Sequence, residues 1–184
     1  MSQSLPELIE HADERALAAS ALACLDRCLP LLDPAPADEV LRALWAAVAR
    51  GEDGWTGRLA EAQDTVARDG EPADDEGALV RGMLRDAPRV WAREPLARWA
   101  DACSLTALAL HQRLEPGSSG PPEHYRTGGT EAAGPLVDGE LRRQVRVLEV
   151  LAAGGAGGLR LARDITAEGR RVLRAVVSRR ARSA

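Results

Sequence analysis

The chain has 184 residues and a formal net charge of −4, a length that fits one domain able to bury a core without disulfides or a structural metal. Its valines, isoleucines and threonines number 20 and its aromatics five, against abundant alanine, leucine, arginine and glutamate; this is too little branched and aromatic material for a large β-sheet, and an all-α fold is expected. No apolar run nears the roughly 20 residues of a membrane span, residues 1–10 carry acids where a signal peptide carries bases, and three cysteines point to reduced thiols in the cytoplasm.

The first helix is expected over residues 5–29, with Leu8, Ile9, Ala12, Leu17, Leu22, Leu25 and Leu29 inward and Pro30 at its end. Asp33-Pro34-Ala35-Pro36 then reads as a turn. A second helix carries Val40, Leu41, Leu44, Trp45 and Val48 on one face, with Gly51 placed to close it. A third, over residues 56–68, turns Leu59 and Val66 inward. The fourth starts near Asp75, carries Leu79, Val80, Met83 and Leu84, and bends or breaks near Pro88, with Val90 and Trp91 beyond. Pro95 suits the first turn of a fifth helix, where Leu96, Trp99, Cys103, Thr106, Leu110 and Leu114 follow steps of three or four. Residues 116–139 are rich in Pro, Gly and Ser and show no periodicity, so a flexible loop is expected there. Two more helices follow, over residues 138–153 and 159–180, separated by Gly154-Gly155-Ala156-Gly157-Gly158. The expected architecture is one bundle of about seven helices: five over 1–115, the loop, and a C-terminal hairpin over 140–182.

Several short segments resemble a known family. Cys24-Leu25-Asp26-Arg27-Cys28-Leu29-Pro30 at the end of the first helix, the Leu44-Trp45 pair, Asp101-Ala102-Cys103, and His111-Gln112-Arg113-Leu114 followed by Gly117 are similar, in the same order, to the pattern of the YjaG-like family, small all-helical bacterial proteins of unknown function. The resemblance implies an all-helical fold and assigns no activity. Some related helical proteins carry the label of immunity proteins of bacterial toxin systems, which is an analogy of fold. Residues 116–139 and the arginine-rich C-terminus depart from that pattern.

Each chemical constellation has a plainer reading. Cys24 and Cys28 share a helix face and with Cys103 could hold a soft metal, but buried thiols near Leu25 and Leu29 are the favoured reading, and no metal or cofactor is expected. The histidines, His11, His111 and His124, form no short motif; His111, His124 and Tyr125 are candidates for a small-ligand or metal-binding helical enzyme, the rival to a binding protein. Asp13-Glu14, Glu52-Asp53 and Asp74-Asp75-Glu76 sit where helices start, which capping explains. Asp26 and Arg27, amid leucines, are expected to be a partly buried ion pair with a structural role. The glycine run at 154–158 lacks the strand and Lys-Ser/Thr of a phosphate loop.

Charge is distributed unevenly. Residues 1–140 hold 13 arginines and 25 acids, net −12, whereas residues 141–184 hold 11 arginines and 3 acids, net +8. On the last helix Leu161, Ile165, Val172, Val176 and Val177 are expected inward, with Arg160, Arg163, Arg170 and Arg174 on another face. Much of that basic charge is expected to meet the chain's own acids; a protein partner comes next, and nucleic acid through the last helix is a weaker alternative, since aromatics for base stacking are missing there. Trp45, Trp91 and Trp99 read as core anchors. Trp55, beside Gly54 in an expected turn, would anchor an interface if exposed. The function favoured is a non-enzymatic protein-binding module, immunity-like or regulatory, using Arg160, Arg163, Arg170, Arg174 and Trp55.

Overall fold

The chain's first helix is two helices, because residue 13 is a better cap than a helix interior residue. In the computed structural model, which describes residues 3–32, 38–70 and 74–183, α1 covers Leu5–His11 and α2 Glu14–Cys28. Ala12 between them is extended, and the Asp13 carboxylate accepts the Ala16 N–H at 2.8 Å. That bond satisfies one of the free donors at the start of α2, which an uninterrupted helix would not need. A 3₁₀ turn, Leu29–Leu31, carries Pro30.

α2 is the axis of the fold. Every residue from 16 to 28 is buried, with α6, α9, α3, α8 and α5 packed around it. A helix enclosed on all sides must be apolar or small on all sides, and alanines at 16, 18, 19, 21 and 23 let the neighbours approach. The apolar surface of α2 is thus a ring, not a stripe. Asp26 and Arg27 are the two charges carried into this interior.

The remaining elements are α3 (Asp38–Arg50), α4 (Glu52–Arg68), α5 (Asp75–Arg85), α6 (Arg93–Arg113), α7 (Pro122–Arg126), α8 (Pro135–Ala152) and α9 (Ala156–Ser183). The described residues form nine helices and no strand. α3 turns directly into α4 at Gly51, whose φ of +77° suits glycine alone among ordinary residues. Asp74 caps α5 by accepting the Gly77 N–H. The expected turn at residues 33–36 lies outside the described residues.

Trp55 departs from expectation. It lies in α4 and is fully buried, edge-on to Trp91 at 5.6 Å and tilted against Trp99 at 5.7 Å, with its indole N–H donated to the Pro88 carbonyl at 2.7 Å. It is a core anchor and has no surface to offer a partner. Residues 86–92 are irregular and lie over α4. There Gln63 Nε2 donates to the carbonyls of Leu84, Arg85 and Ala87, and Thr56 donates to that of Arg89.

Residues 116–139 include α7 and the start of α8, and they dock. Tyr125 is buried with Leu108 and Val137, its hydroxyl donating to the Ser119 carbonyl at 2.6 Å. The Glu115 carboxylate accepts the N–H groups of Leu136 and Val137 at 2.8 and 3.0 Å, capping α8 from the end of α6. Hydrophobic periodicity could not reveal this segment, because hydrogen bonds and one aromatic ring hold it. Among the described residues, no helix is long and apolar enough to cross a membrane.

Candidate functional site

Asp26 and Arg27 are neighbours in sequence, yet they do not pair with each other; each reaches a different helix. Arg27 makes a two-pronged contact with Glu140 of α8, Nε to Oε2 at 2.8 Å and Nη2 to Oε1 at 2.7 Å, with both side chains fully buried. Gln144 donates to Glu140 Oε1 at 2.9 Å and accepts the Ser104 hydroxyl at 2.6 Å, which ties in α6. His111, also on α6, places Nδ1 at 2.7 Å from the Ala107 carbonyl and Nε2 at 3.5 Å from Glu140.

Burial alone would raise the Glu140 carboxyl, but the Arg27 guanidinium, then His111, and the hydrogen bonds from Arg27 and Gln144 outweigh it and hold the pKa at about 2. Arg27 stays charged: burial opposes this, and Glu140 more than compensates. For His111 burial wins and lowers the pKa, because the Glu140 charge is already engaged by Arg27, and Arg27 and Arg143 both repel an imidazolium.

This cluster has charged and nucleophilic groups but no access. The cavity touching it, lined in part by Arg27, Ser104 and Gln144, has a volume of about 10 Å³, too small for a substrate. The nearby thiols are quiet for the same reason. Burial pushes Cys24 up to about 12 and raises Cys28 and Cys103 well above an ordinary thiol, so none is a thiolate at neutral pH. Among the described residues, no group of three or more His, Cys, Asp or Glu is arranged to hold a metal ion.

The histidine and tyrosine candidates differ in access. His111 is buried in the polar cluster, Tyr125 of α7 is buried against Leu108 and Val137, and His124 is exposed with its ring against Gly129. Arg126, beside Tyr125, is buried and paired with Asp101.

What the cluster does is fix α9. Gly169 of α9 lies directly on the stem of Arg27; a Cβ there would collide with Arg27 Cδ and sit 2.8 Å from Arg143 Cδ. Beside it, Asp26 accepts the Trp45 indole N–H at 2.9 Å and faces Arg170 Nη1 at 3.1 Å. These contacts set the rotation of α9, and the result differs from the expected one. The buried residues are Gly158, Ala162, Thr166, Gly169 and Leu173, whereas Leu161 is 51% and Val172 36% exposed. Ile165, Val176 and Val177 are half-buried at the border.

The outward side of α9 is basic. Arg170 is tied to Asp26 and Asp38, and Arg180 to Glu76, so the chain's own acids meet these two arginines. Arg160, Arg163, Arg171, Arg174, Arg179 and Arg182 are exposed, and their guanidinium groups have no ion-pair or hydrogen-bond partner among the described residues. Spacing of eleven residues, close to three helical turns, aligns them: Arg160, Arg171 and Arg182 form one row, Arg163 with Arg174 a second, and the exposed pair Leu161 and Val172 a third. Gly158 and Gly169 share the same spacing on the buried side. This repeat is visible in the sequence, but large apolar residues draw attention to the wrong face. Between α9 and α3 lies an open cleft of about 550 Å³ whose lining includes Asp26, Asp38, Arg42, Trp45, Arg163 and Arg170. Nothing in the sequence brings Arg42 to α9; only the packing of both helices on α2 does. No family model, curated protein or solved structure matches this chain.

Proposed function

We propose that the protein is a non-enzymatic, cytoplasmic protein-binding module that recognises an acidic partner surface with the outward side of α9. The observation that carries this is the row of unpartnered arginines, Arg160, Arg171 and Arg182, running beside the exposed Leu161 and Val172. Charge alone would suit any polyanion. The apolar pair favours a protein, since phosphate backbones offer nothing to Leu161, whereas burial of each side chain against a partner gains on the order of 1 kcal/mol. At 28 residues α9 is about 42 Å long, enough to span a partner helix or strand. The three cysteines are all free, as suits a reducing compartment.

Kinship with the YjaG-like family belongs to the same proposal. Of the residues that carry that resemblance, Asp26, Arg27, Cys103 and His111 lie in the buried interior, while Ala102, Arg113 and Gly117 are exposed; none of them is on α9, so the likeness leaves the ligand of α9 open.

The test is capture from nuclease-treated lysate of the source organism by the wild-type chain and by an Arg171→Glu/Arg174→Glu variant. Both residues are exposed, so the variant keeps its fold. A protein retained by the wild type, released by salt and lost with the variant is the expected outcome. Capture that vanishes on nuclease treatment, or that the variant leaves unchanged, would remove the reading.

A further inference from the structure

We infer that the cleft between α3 and α9 binds a small soluble molecule through a phosphate monoester or diphosphate group. The cleft holds about 550 Å³, within the range of small-ligand sites. Its floor is built, because Asp26 and Trp45 are buried and bonded to each other at 2.9 Å. Arg170 stands over that floor, held between Asp26 at 3.1 Å and Asp38 at 3.6 Å. One guanidinium between two carboxylates leaves this part of the cleft with a charge of −1, so an anion must be drawn by the rest of the wall.

That wall is unbalanced. Arg42 comes from α3 and Arg160 and Arg163 from α9, and none has an ion-pair or hydrogen-bond partner among the described residues. Asp164 is the one carboxylate in the lining without an ion pair among those residues. Over the whole lining four arginines face three carboxylates, a net charge of +1, but Arg42, Arg160 and Arg163 have no carboxylate partner of their own and are free to take a phosphate monoester, with its charge of about −1.5 to −2 at neutral pH and its three terminal oxygens. Guanidinium forks on two facing helices can also share the three terminal oxygens of a phosphate, the geometry in which arginine binds best.

Arg160 belongs to both the cleft and the outer row, but Arg42 lies on α3, so a variant at Arg42 tests the cleft apart from the partner proposed for the outer face. Thermal unfolding is measured with inorganic pyrophosphate, with a phosphate monoester such as glycerol phosphate, and with sodium chloride at matched ionic strength. A saturable rise of about 5 to 10 °C is expected once the phosphate compound exceeds its dissociation constant roughly a hundredfold, with no such rise in chloride. Arg42→Gln should weaken binding about ten- to a hundredfold while leaving the melting temperature of the free protein unchanged or higher. Arg42→Lys should retain more of the affinity than Arg42→Gln, as a point charge without the fork. Pyrophosphate and glycerol phosphate both indistinguishable from chloride would overturn the inference. So would a glutamate-rich peptide that raises the melting temperature through Arg42 while both phosphate compounds stay inert; that result would give the cleft to an acidic protein segment. Loss of lysate capture in the Arg171→Glu/Arg174→Glu variant bears on the outer face alone.

Discussion

Replacing Glu140 by glutamine would leave a guanidinium buried in the centre of the bundle with half its partner gone. Arg27 and Glu140 are both 0% exposed and share contacts of 2.8 and 2.7 Å. The glutamine amide can accept one of these bonds but carries no charge and turns donors toward other donors. Breaking one side of a buried, well-formed pair costs about 3 to 5 kcal/mol, a large share of the roughly 5 to 15 kcal/mol that holds a domain together. For a chain of this length the melting temperature should fall by about 6 to 20 °C. Urea unfolding followed by tryptophan fluorescence reads the change well, because Trp55, Trp91 and Trp99 form one cluster in the core. The paired replacement Arg27→Met/Glu140→Leu removes both charges, and it should recover most of the loss, since the pair repays its own desolvation with little to spare. A Glu140→Gln variant within about 1 kcal/mol of wild type, at an unchanged denaturant slope, would show that this contact does not hold the helices together.

Two further outcomes follow from the same cluster. Glu140 has a pKa of about 2 in the fold against an ordinary 4.5, so on acidification it binds its proton later than in the unfolded chain. Its contribution of about 3 kcal/mol is present above pH 4.5 and is lost as pH falls toward 2. His111, lowered from 6.5 by burial, adds a loss in the same direction that begins as pH drops below 6.5. A urea midpoint that stays constant from about pH 7 to about pH 5 would contradict the His111 part. Gly169→Ala should destabilise by about 1 to 3 kcal/mol, since Arg27 and Arg143 must both give way. Gly57→Ala, in α4 where nothing lies within 4 Å of the added methyl, should instead stabilise by about 0.5 to 1 kcal/mol. Equal effects at the two positions, measured by urea unfolding, would mean that the close approach of α9 to α2 carries no constraint.

The candidate site was partly legible in advance. Arginine surplus toward the C-terminus is a matter of counting, and four of the arginines on the outer side of α9 and its cleft edge, Arg160, Arg163, Arg170 and Arg174, follow from helical spacing. Arg170 proved to be held by Asp26 and Asp38, a fate that depends on which acids fold against it. Trp55 illustrates the opposite failure. Its glycine neighbour reads as a turn, but α4 starts earlier, at Glu52, and its first turn carries Trp55 into the tryptophan cluster. Glu140, Gln144 and Ser104 left one faint signal, polar residues at positions of α8 and α6 that otherwise face inward. A polar residue among apolar ones does not announce its partner when that partner is 113 positions away.

Composition and spacing alone determined that this chain is helical, where most of its helices lie, and that its basic charge gathers at one end, because those properties depend on neighbours within a turn or two. Which side of α9 faces water was decided only by packing. Large apolar side chains such as Leu161 and Val172 nominate one face, but α2 is lined with alanine and carries the stem of Arg27 outward, so the small residues Gly158, Ala162, Thr166 and Gly169 are the ones that fit against the core. Steric room between helices, a property of the assembled bundle, outweighed the preference of individual side chains for burial.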